Sequence, residues 1–324
     1  MIAGHTKAVA EFESAWRAGT LHHAWLLAGP KGVGKAHFAR AAATRVLAEA
    51  AGPPVDLPGL DTPENHPTAR LIEAGSHPDM RWLERLENPK TGALARNITV
   101  DQVRGLSELF DLTPSMSPWR AVVIDAADDL EKSAANALLK MLEEPPANCV
   151  FLLVSHAPGR LLPTIRSRCR TLAFQPLGDD VMAPLLEAQL PSLAVAERSR
   201  IIARAGGSVG RAMAFAALDL TRLQDAAIKI LRDGDPTNAR RSDLAIELGR
   251  KGAAERYAAF LDLVPVLIAR QARGLKEREL ERALDAYAQS RELAALAPRL
   301  SLDPASTVFQ LGGMLASVAP RPSP

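Results

Sequence analysis

A glycine-rich stretch near the amino terminus contains the residue types that hold phosphate groups. Gly29, Gly32, Gly34 and Lys35 lie in the run GPKGVGKA (29–36), between a short apolar segment and an alanine-rich segment predicted to be helical. Glycines let successive backbone N–H groups turn toward phosphate oxygens, and the following helix adds partial positive charge. A lysine at the last but one position reaches the outer phosphates. The spacing predicts a phosphate-binding loop between a strand and a helix.

Two residues that ATP hydrolysis requires are replaced at this predicted site. The loop consensus places Ser or Thr, whose hydroxyl binds Mg²⁺, where this chain has Ala36. A β-branched run, 120–125, predicts a buried strand that delivers Asp125 in the position of a magnesium-associated carboxylate. The next residue, where a glutamate base would activate water, is Ala126. The two alanines predict that this chain does not hydrolyse ATP. No cofactor is expected to be required, and whether the loop still binds ATP or ADP stays open.

Polar residues that follow offer only partial substitutes for the missing groups. Asp128 and Asp129 are expected to begin a helix or to face solvent rather than to act as a base. Ser155, at the end of the next predicted strand, either contacts a phosphate or is satisfied by backbone, and we favour backbone.

A short basic run supplies a different kind of candidate. Arg166, Arg168 and Arg170 alternate, so on an extended segment all three side chains would point to one side. Such a row is either a solvated basic edge or a source of positive charge for a nucleotide held by a neighbouring subunit.

Composition limits the classes of protein. The 324 residues suggest two or three domains, and the formal net charge of +2 does not indicate strong nucleic-acid binding by the isolated chain. Two cysteines, Cys149 and Cys169, are too few for a disulfide framework and lack metal-ligand spacing, so no metal site is expected. The sequence shows no signal peptide and no membrane span, which predicts a cytoplasmic location.

The elements that must position these residues alternate between strands and helices. Strands are predicted at 24–28, 80–83, 120–125, 149–154 and 171–174, with helices between them at 36–51, 101–111 and 133–144. This alternation predicts an α/β domain with a parallel sheet over residues 1–175. Helices alone are expected in a small domain, 176–217, and a larger one, 218–324. The proline-rich stretch 52–79 is expected to have little regular structure, 88–92 to form a turn, and the last residues to fray.

Two further stretches resemble one family. The segment SAANALLKMLEEPP (133–146) resembles a segment shared by sliding-clamp loader subunits of the AAA+ class. The segment LLPTIRSRC (161–169) is similar to the Ser-Arg-Cys motif of the same family, and the resemblance runs from about residue 4 to 176. Residues 206–211 resemble, more weakly, its helical lid. The resemblance implies an AAA+ P-loop α/β domain, a small helical lid and an all-α carboxyl-terminal collar.

The resemblance also implies a role and partners. It implies a non-hydrolysing subunit of the bacterial DNA polymerase III clamp loader, a hetero-pentamer with ATPase (tau/gamma) and delta subunits that places the sliding clamp on primed DNA. Arg168 would act in trans as an arginine finger on a neighbour's ATP, and Arg211 would be a sensor-2-type arginine. Relatives often carry a four-cysteine zinc module where residues 52–79 of this chain contain no cysteine, so no zinc is expected.

Two alternatives remain at this point. An active, motor-type AAA+ ATPase is disfavoured by Ala36 and Ala126. A pure scaffold would bind neither nucleotide nor a neighbour's γ-phosphate.

Overall fold

A computed structural model describes residues 2–53, 55–87, 94–218 and 220–320. The turn predicted over 88–92 and the tail 321–324 lie outside the described residues. The chain divides into two compact units, 1–210 and 211–324. Residues 176–210 therefore group with the sheet, and the three-domain division at 175 and 217 stays a prediction.

The first unit is built on one parallel sheet. Its five strands lie in the order β2-β3-β4-β1-β5, and each adjacent pair is parallel. The bounds are β1 Ala24–Ala28, β2 Met80–Leu83, β3 Arg120–Asp125, β4 Cys149–Ser155 and β5 Arg170–Ala173. All five strands predicted from sequence are confirmed within one residue at each end. Buried apolar runs predict them well because a parallel sheet is covered on both faces.

Helices cover the two faces of this sheet. The first helices along the chain are α1 Thr6–Arg17, α2 Lys35–Ala51, α3 Pro67–Glu73, α4 Val100–Arg104, α5 Leu106–Asp111, α6 Lys132–Glu143 and α7 Pro163–Arg166. Phe12 and Phe38, on α1 and α2, pack with Trp25 of β1 on one face. Val103 and Leu138, on α4 and α6, are buried with alternate strand residues on the other. The predicted α/β architecture is confirmed.

The proline-rich stretch 52–79 is more ordered than expected. It contains helix α3, and His66 caps that helix by accepting from Thr68 N. The side chain of Arg45, only 2% exposed, donates to Asp61 O at 2.6 Å and to Val55 O at 3.2 Å. One buried guanidinium thus links the stretch to α2. The prolines and glycines of 52–79 gave no indication of this contact.

Three more helices follow the sheet. They are α8 Asp179–Gln189, α9 Val195–Ala205 and α10 Val209–Leu218, and the helical structure predicted over 176–217 is confirmed. The division between the two units falls within α10.

The described part of the second unit is helical apart from its connections. It contains α11 Leu220–Asp233, α12 Ala239–Leu248, α13 Ala254–Ala272, α14 Glu277–Leu300 and α15 Pro304–Ser317. Helix α15 packs against the other four, around buried residues such as Phe260, Ile268 and Leu311. Helix α14 continues through Pro298. None of the helices in the described ranges is both long and apolar enough to cross a bilayer.

Candidate functional site

The glycine-rich loop joins β1 to α2, as predicted, and its glycines are required by its shape. Gly32 and Gly34 have φ values of 77° and 104°, in the left-handed region that side chains disfavour. A Cβ on Gly29 would lie 2.2 Å from Phe174 O, and the Gly29 N–H donates to Ser155 O at 3.2 Å. The loop is therefore a specific backbone conformation at the carboxyl edge of the sheet.

The lysine of this loop is bonded to the loop itself. Lys35 is 3% exposed, and its Nζ donates to Gly29 O at 2.7 Å and to Pro30 O at 2.5 Å. Burial lowers the pKa of Lys35 to about 8, although the carboxylates of Asp128 and Asp125 act in the opposite direction. The ammonium thus stabilises the turn instead of extending beyond it.

Other segments of the same unit hold the loop from outside. Gly210 N donates to Gly32 O at 3.0 Å, and Ser208 Oγ donates to Lys31 O at 3.0 Å. The His5 ring bonds Val33 O through Nε2 at 2.7 Å. Backbone carbonyls of the loop are therefore occupied by protein donors.

Asp125 ends β3 at the same edge of the sheet. Burial raises the pKa of its carboxyl, with a further increase from Glu84 and a decrease from Lys35. Ala36 and Ala126 contribute no oxygen ligands here. The residue set therefore lacks two groups that hydrolysis of a magnesium–nucleotide requires, the hydroxyl ligand and the base.

The role of Asp128 differs from the prediction. It lies in a 3-10 turn after β3, and its carboxylate accepts from Ser155 Oγ at 3.1 Å, His156 N at 2.6 Å and Ala157 N at 3.1 Å. Asp128 therefore caps the end of β4 rather than beginning an α-helix or facing solvent. Ser155 is fully buried and donates to this side chain, so the expected backbone partner for its hydroxyl was wrong.

The basic run is not extended. Helix α7 includes Arg166, and a turn follows in which Arg168 N donates to Ile165 O at 3.2 Å. Arg168 forms an ion pair with Glu143 at 2.7 Å, whereas Arg170 pairs with Glu11 at 2.8 Å and lies 5.0 Å from the centroid of the Trp25 ring. The prediction that all three arginines share one side was wrong because the chain turns between them.

Arg168 and the glycine loop lie at opposite ends of the parallel strands, Arg168 at the amino ends and the loop at the carboxyl ends. Arg168 comes two residues before β5, whose first residue, Arg170, is in register with Trp25 near the start of β1. The loop begins after Ala28, at the other end of β1. The five residues of β1, at about 3.3 Å each, separate its two ends by roughly 16 Å. Arg168 therefore lies away from the loop of its own chain.

Comparison with known proteins identifies the family. A family model described as "DNA polymerase III, delta subunit" matches residues 4–178, more than half of the chain. The chain belongs to this family. A Pseudomonas aeruginosa relative named DNA polymerase III subunit delta′ is 37% identical over 189 residues, which are 57% of this chain and 53% of that protein. A Bacillus subtilis delta′ relative is 36% identical over 157 residues, 48% of this chain and 43% of that protein.

Relatives named as the tau subunit also match this chain. Bacillus subtilis DNA polymerase III subunit tau is 34% identical over 153 residues, 47% of this chain and 24% of that protein. The chain spans about half the length of the delta′ relatives that it matches. The family match and the delta′ relatives agree with the predicted resemblance to a bacterial DNA polymerase III subunit.

The predicted site residues fall into three groups in the delta′-related chain. Gly29, Gly32, Gly34, Lys35 and Asp125 meet at the carboxyl edge of the sheet. Arg168 lies at the opposite edge. Arg211 belongs to the second unit, where burial lowers its pKa and the nearby charges are Asp262 and Arg270 of α13.

Sequence reasoning did not single out several side chains that shape these sites. Glu143 lies inside the family-like segment 133–146, and Ser208 lies inside the family-like segment 206–211. Both segments were recognised, but no role was predicted for either side chain. Nothing in the sequence pointed to His5. Among the described residues, no group of three or more His, Cys, Asp or Glu could hold a metal ion.

Proposed function

We propose that this chain is a non-hydrolysing subunit of the DNA polymerase III clamp loader. The family match and the delta′ relatives support membership of that assembly. In this proposal the chain joins ATPase (tau/gamma) and delta subunits in a cytoplasmic hetero-pentamer. The complex places the sliding clamp on primed DNA, and the chain contacts DNA only through the complex.

The catalytic contribution that we propose is Arg168, acting in trans. The observation that supports it is the placement of Arg168 at the sheet edge opposite the glycine loop of its own chain. From there a guanidinium is presented to a neighbouring subunit. An arginine that reaches a γ-phosphate stabilises the charge that develops during phosphoryl transfer.

The chain's own loop supports a structural role in this proposal. Its lysine bonds Gly29 O and Pro30 O, and alanine replaces both the hydroxyl and the base. We therefore assign Gly29, Gly32, Gly34, Lys35 and Asp125 to a degenerate nucleotide site. The sensor-2-type role of Arg211, a residue of the second unit, stays a prediction. No zinc is expected.

The test is the reconstituted loader with Arg168→Ala. We expect DNA-stimulated ATP hydrolysis to fall about tenfold or more, since an arginine finger contributes several orders of magnitude at its own site. Arg166→Ala, an exposed arginine two residues away, is the matched control and should leave the rate unchanged. Gel filtration and thermal unfolding verify assembly and folding. An unchanged rate in an assembled Arg168→Ala complex would remove the trans role.

A further inference from the structure

The guanidinium of Arg168 is held at two points of its own domain. Its Nη2 lies 2.7 Å from Glu143 Oε1, and its Nη1 donates to Thr164 O at 2.9 Å. Glu143 is the last residue of α6, and Thr164 lies in α7. Two terminal nitrogens bonded to two different elements fix both the position and the plane of the side chain.

Helix stability does not account for the location of Glu143. A carboxylate at the carboxyl end of a helix meets the negative end of the helix dipole, which is unfavourable. The side chains of Glu143 and Arg168 are 48% and 33% exposed, and ion pairs with that exposure contribute little to folding. A role in orienting Arg168 explains the location better than a role in folding.

We propose that Glu143 is a positioning residue for Arg168, which deepens and rests on the proposed function. A guanidinium has five N–H donors, and the two observed contacts leave three for a phosphate. Because the side chain is fixed before the neighbouring subunit docks, less rotamer entropy is lost when it meets the γ-phosphate. Glu143 acts through Arg168 and does not itself touch the nucleotide.

The test compares Glu143 variants in the complete reconstituted loader. We expect Glu143→Ala to lower kcat of DNA-stimulated ATP hydrolysis about two- to tenfold, the range for freeing one rotamer-rich side chain. The KM for ATP should stay unchanged, since a finger acts mainly on the transition state. Glu143→Gln still accepts an N–H bond and should retain most of the rate. Glu144→Ala removes the same charge one residue later and is the matched control.

A double-mutant cycle separates positioning from other effects. In an Arg168→Ala background, Glu143→Ala should cause no further loss, because the residue that it positions is gone. An equal loss in both backgrounds would show that Glu143 acts elsewhere and would overturn the proposal. A rate that is unchanged or raised in Glu143→Ala, while Arg168→Ala lowers it, would overturn the positioning role and leave the proposed function intact.

The remaining outcome concerns the proposed function itself. If Arg168→Ala has no effect in an assembled loader, the trans role fails, and the positioning role fails with it. Thermal unfolding of each variant shows whether it folds. If Glu143→Ala does not fold, the rate of Glu143→Gln, which keeps the shape of the side chain, is compared with that of the unchanged protein.

Discussion

Ser155 Oγ donates to Asp128 Oδ1 across 3.1 Å, and this bond ties the end of β4 to the turn that follows β3. The same carboxylate accepts two backbone N–H groups, from His156 and Ala157. Asp128, which lies two residues after the expected position of a catalytic base, thus accepts three hydrogen bonds that link β3 to β4.

Asp128→Ala should destabilise the protein substantially. The change removes three hydrogen bonds and leaves the buried Ser155 hydroxyl without this acceptor, which costs about 2–4 kcal/mol. Urea denaturation measures the free energy of unfolding. Asp129→Ala is the control, because the Asp129 carboxylate pairs with Arg85 at 3.2 Å and both side chains are about one-third exposed. Loss of this pair should cost about 1 kcal/mol or less. Equal effects of the two variants would contradict the structural role of Asp128.

The purified chain should not turn over ATP in the presence of Mg²⁺. Ala36 and Ala126 lack the hydroxyl and the base, and Asp128 is engaged by three donors. Phosphate release should equal that of the Lys35→Ala variant, which serves as the background for contaminating ATPases. Steady turnover above that background would favour the motor-type ATPase instead.

Gly32→Ala should destabilise more than Gly19→Ala. Both glycines have positive φ, 77° and 67°, so each substitution costs about 1–2 kcal/mol in backbone strain. A Cβ on Gly32 would also lie 2.4 Å from Ser208 Oγ, whereas one on Gly19 meets nothing within 4 Å. The overlap should add about 1–3 kcal/mol at Gly32. Matched denaturation curves would contradict the tight contact between the loop and residues 208–210.

Stability should depend on pH through Lys35. The folded pKa, about 8, lies below the ordinary value of 10.5, so between these values the unfolded chain binds more protons than the folded chain. The free energy of unfolding, relative to Lys35→Met, should therefore rise from pH 8 to pH 10.5, approaching about 1.4 kcal/mol per pH unit. Groups common to both proteins cancel in this difference. A flat difference over that range would show that Lys35 is not desolvated.

Arg45→Ala should loosen the proline-rich stretch. The substitution removes the donor to Asp61 O and Val55 O and empties a buried site, at a cost of about 2–4 kcal/mol. Limited proteolysis should show faster cleavage between residues 55 and 66. Arg40→Ala, an exposed arginine of the same helix that stacks 4.6 Å from the Trp82 ring, should change neither cleavage nor stability by much. Slow cleavage in Arg45→Ala would mean that other contacts hold the stretch.

The sequence alone determined the strands, the loop and the replacement of two ATPase side chains by Ala36 and Ala126. The runs 24–28 and 121–124 are continuous and apolar, and such runs favour buried parallel strands. Glycine spacing fixed the loop because positive φ is a local property of the backbone. Ala36 and Ala126 exclude a magnesium-binding hydroxyl and a carboxylate base at their positions, because an alanine side chain has no oxygen.

Tertiary structure decided what each polar group contacts. The pairs of Arg168 with Glu143 and of Asp128 with Ser155 join residues that are 25 and 27 positions apart, and no local periodicity encodes such contacts. Lys35 turned back onto its own loop because two carbonyls lay within reach of its Nζ. The parallel pairing of β5 with β1 puts Arg168 at the opposite end of the strands from the loop. This pairing depends on how the whole sheet assembles, because local sequence favours each strand separately and only long-range packing decides its neighbours.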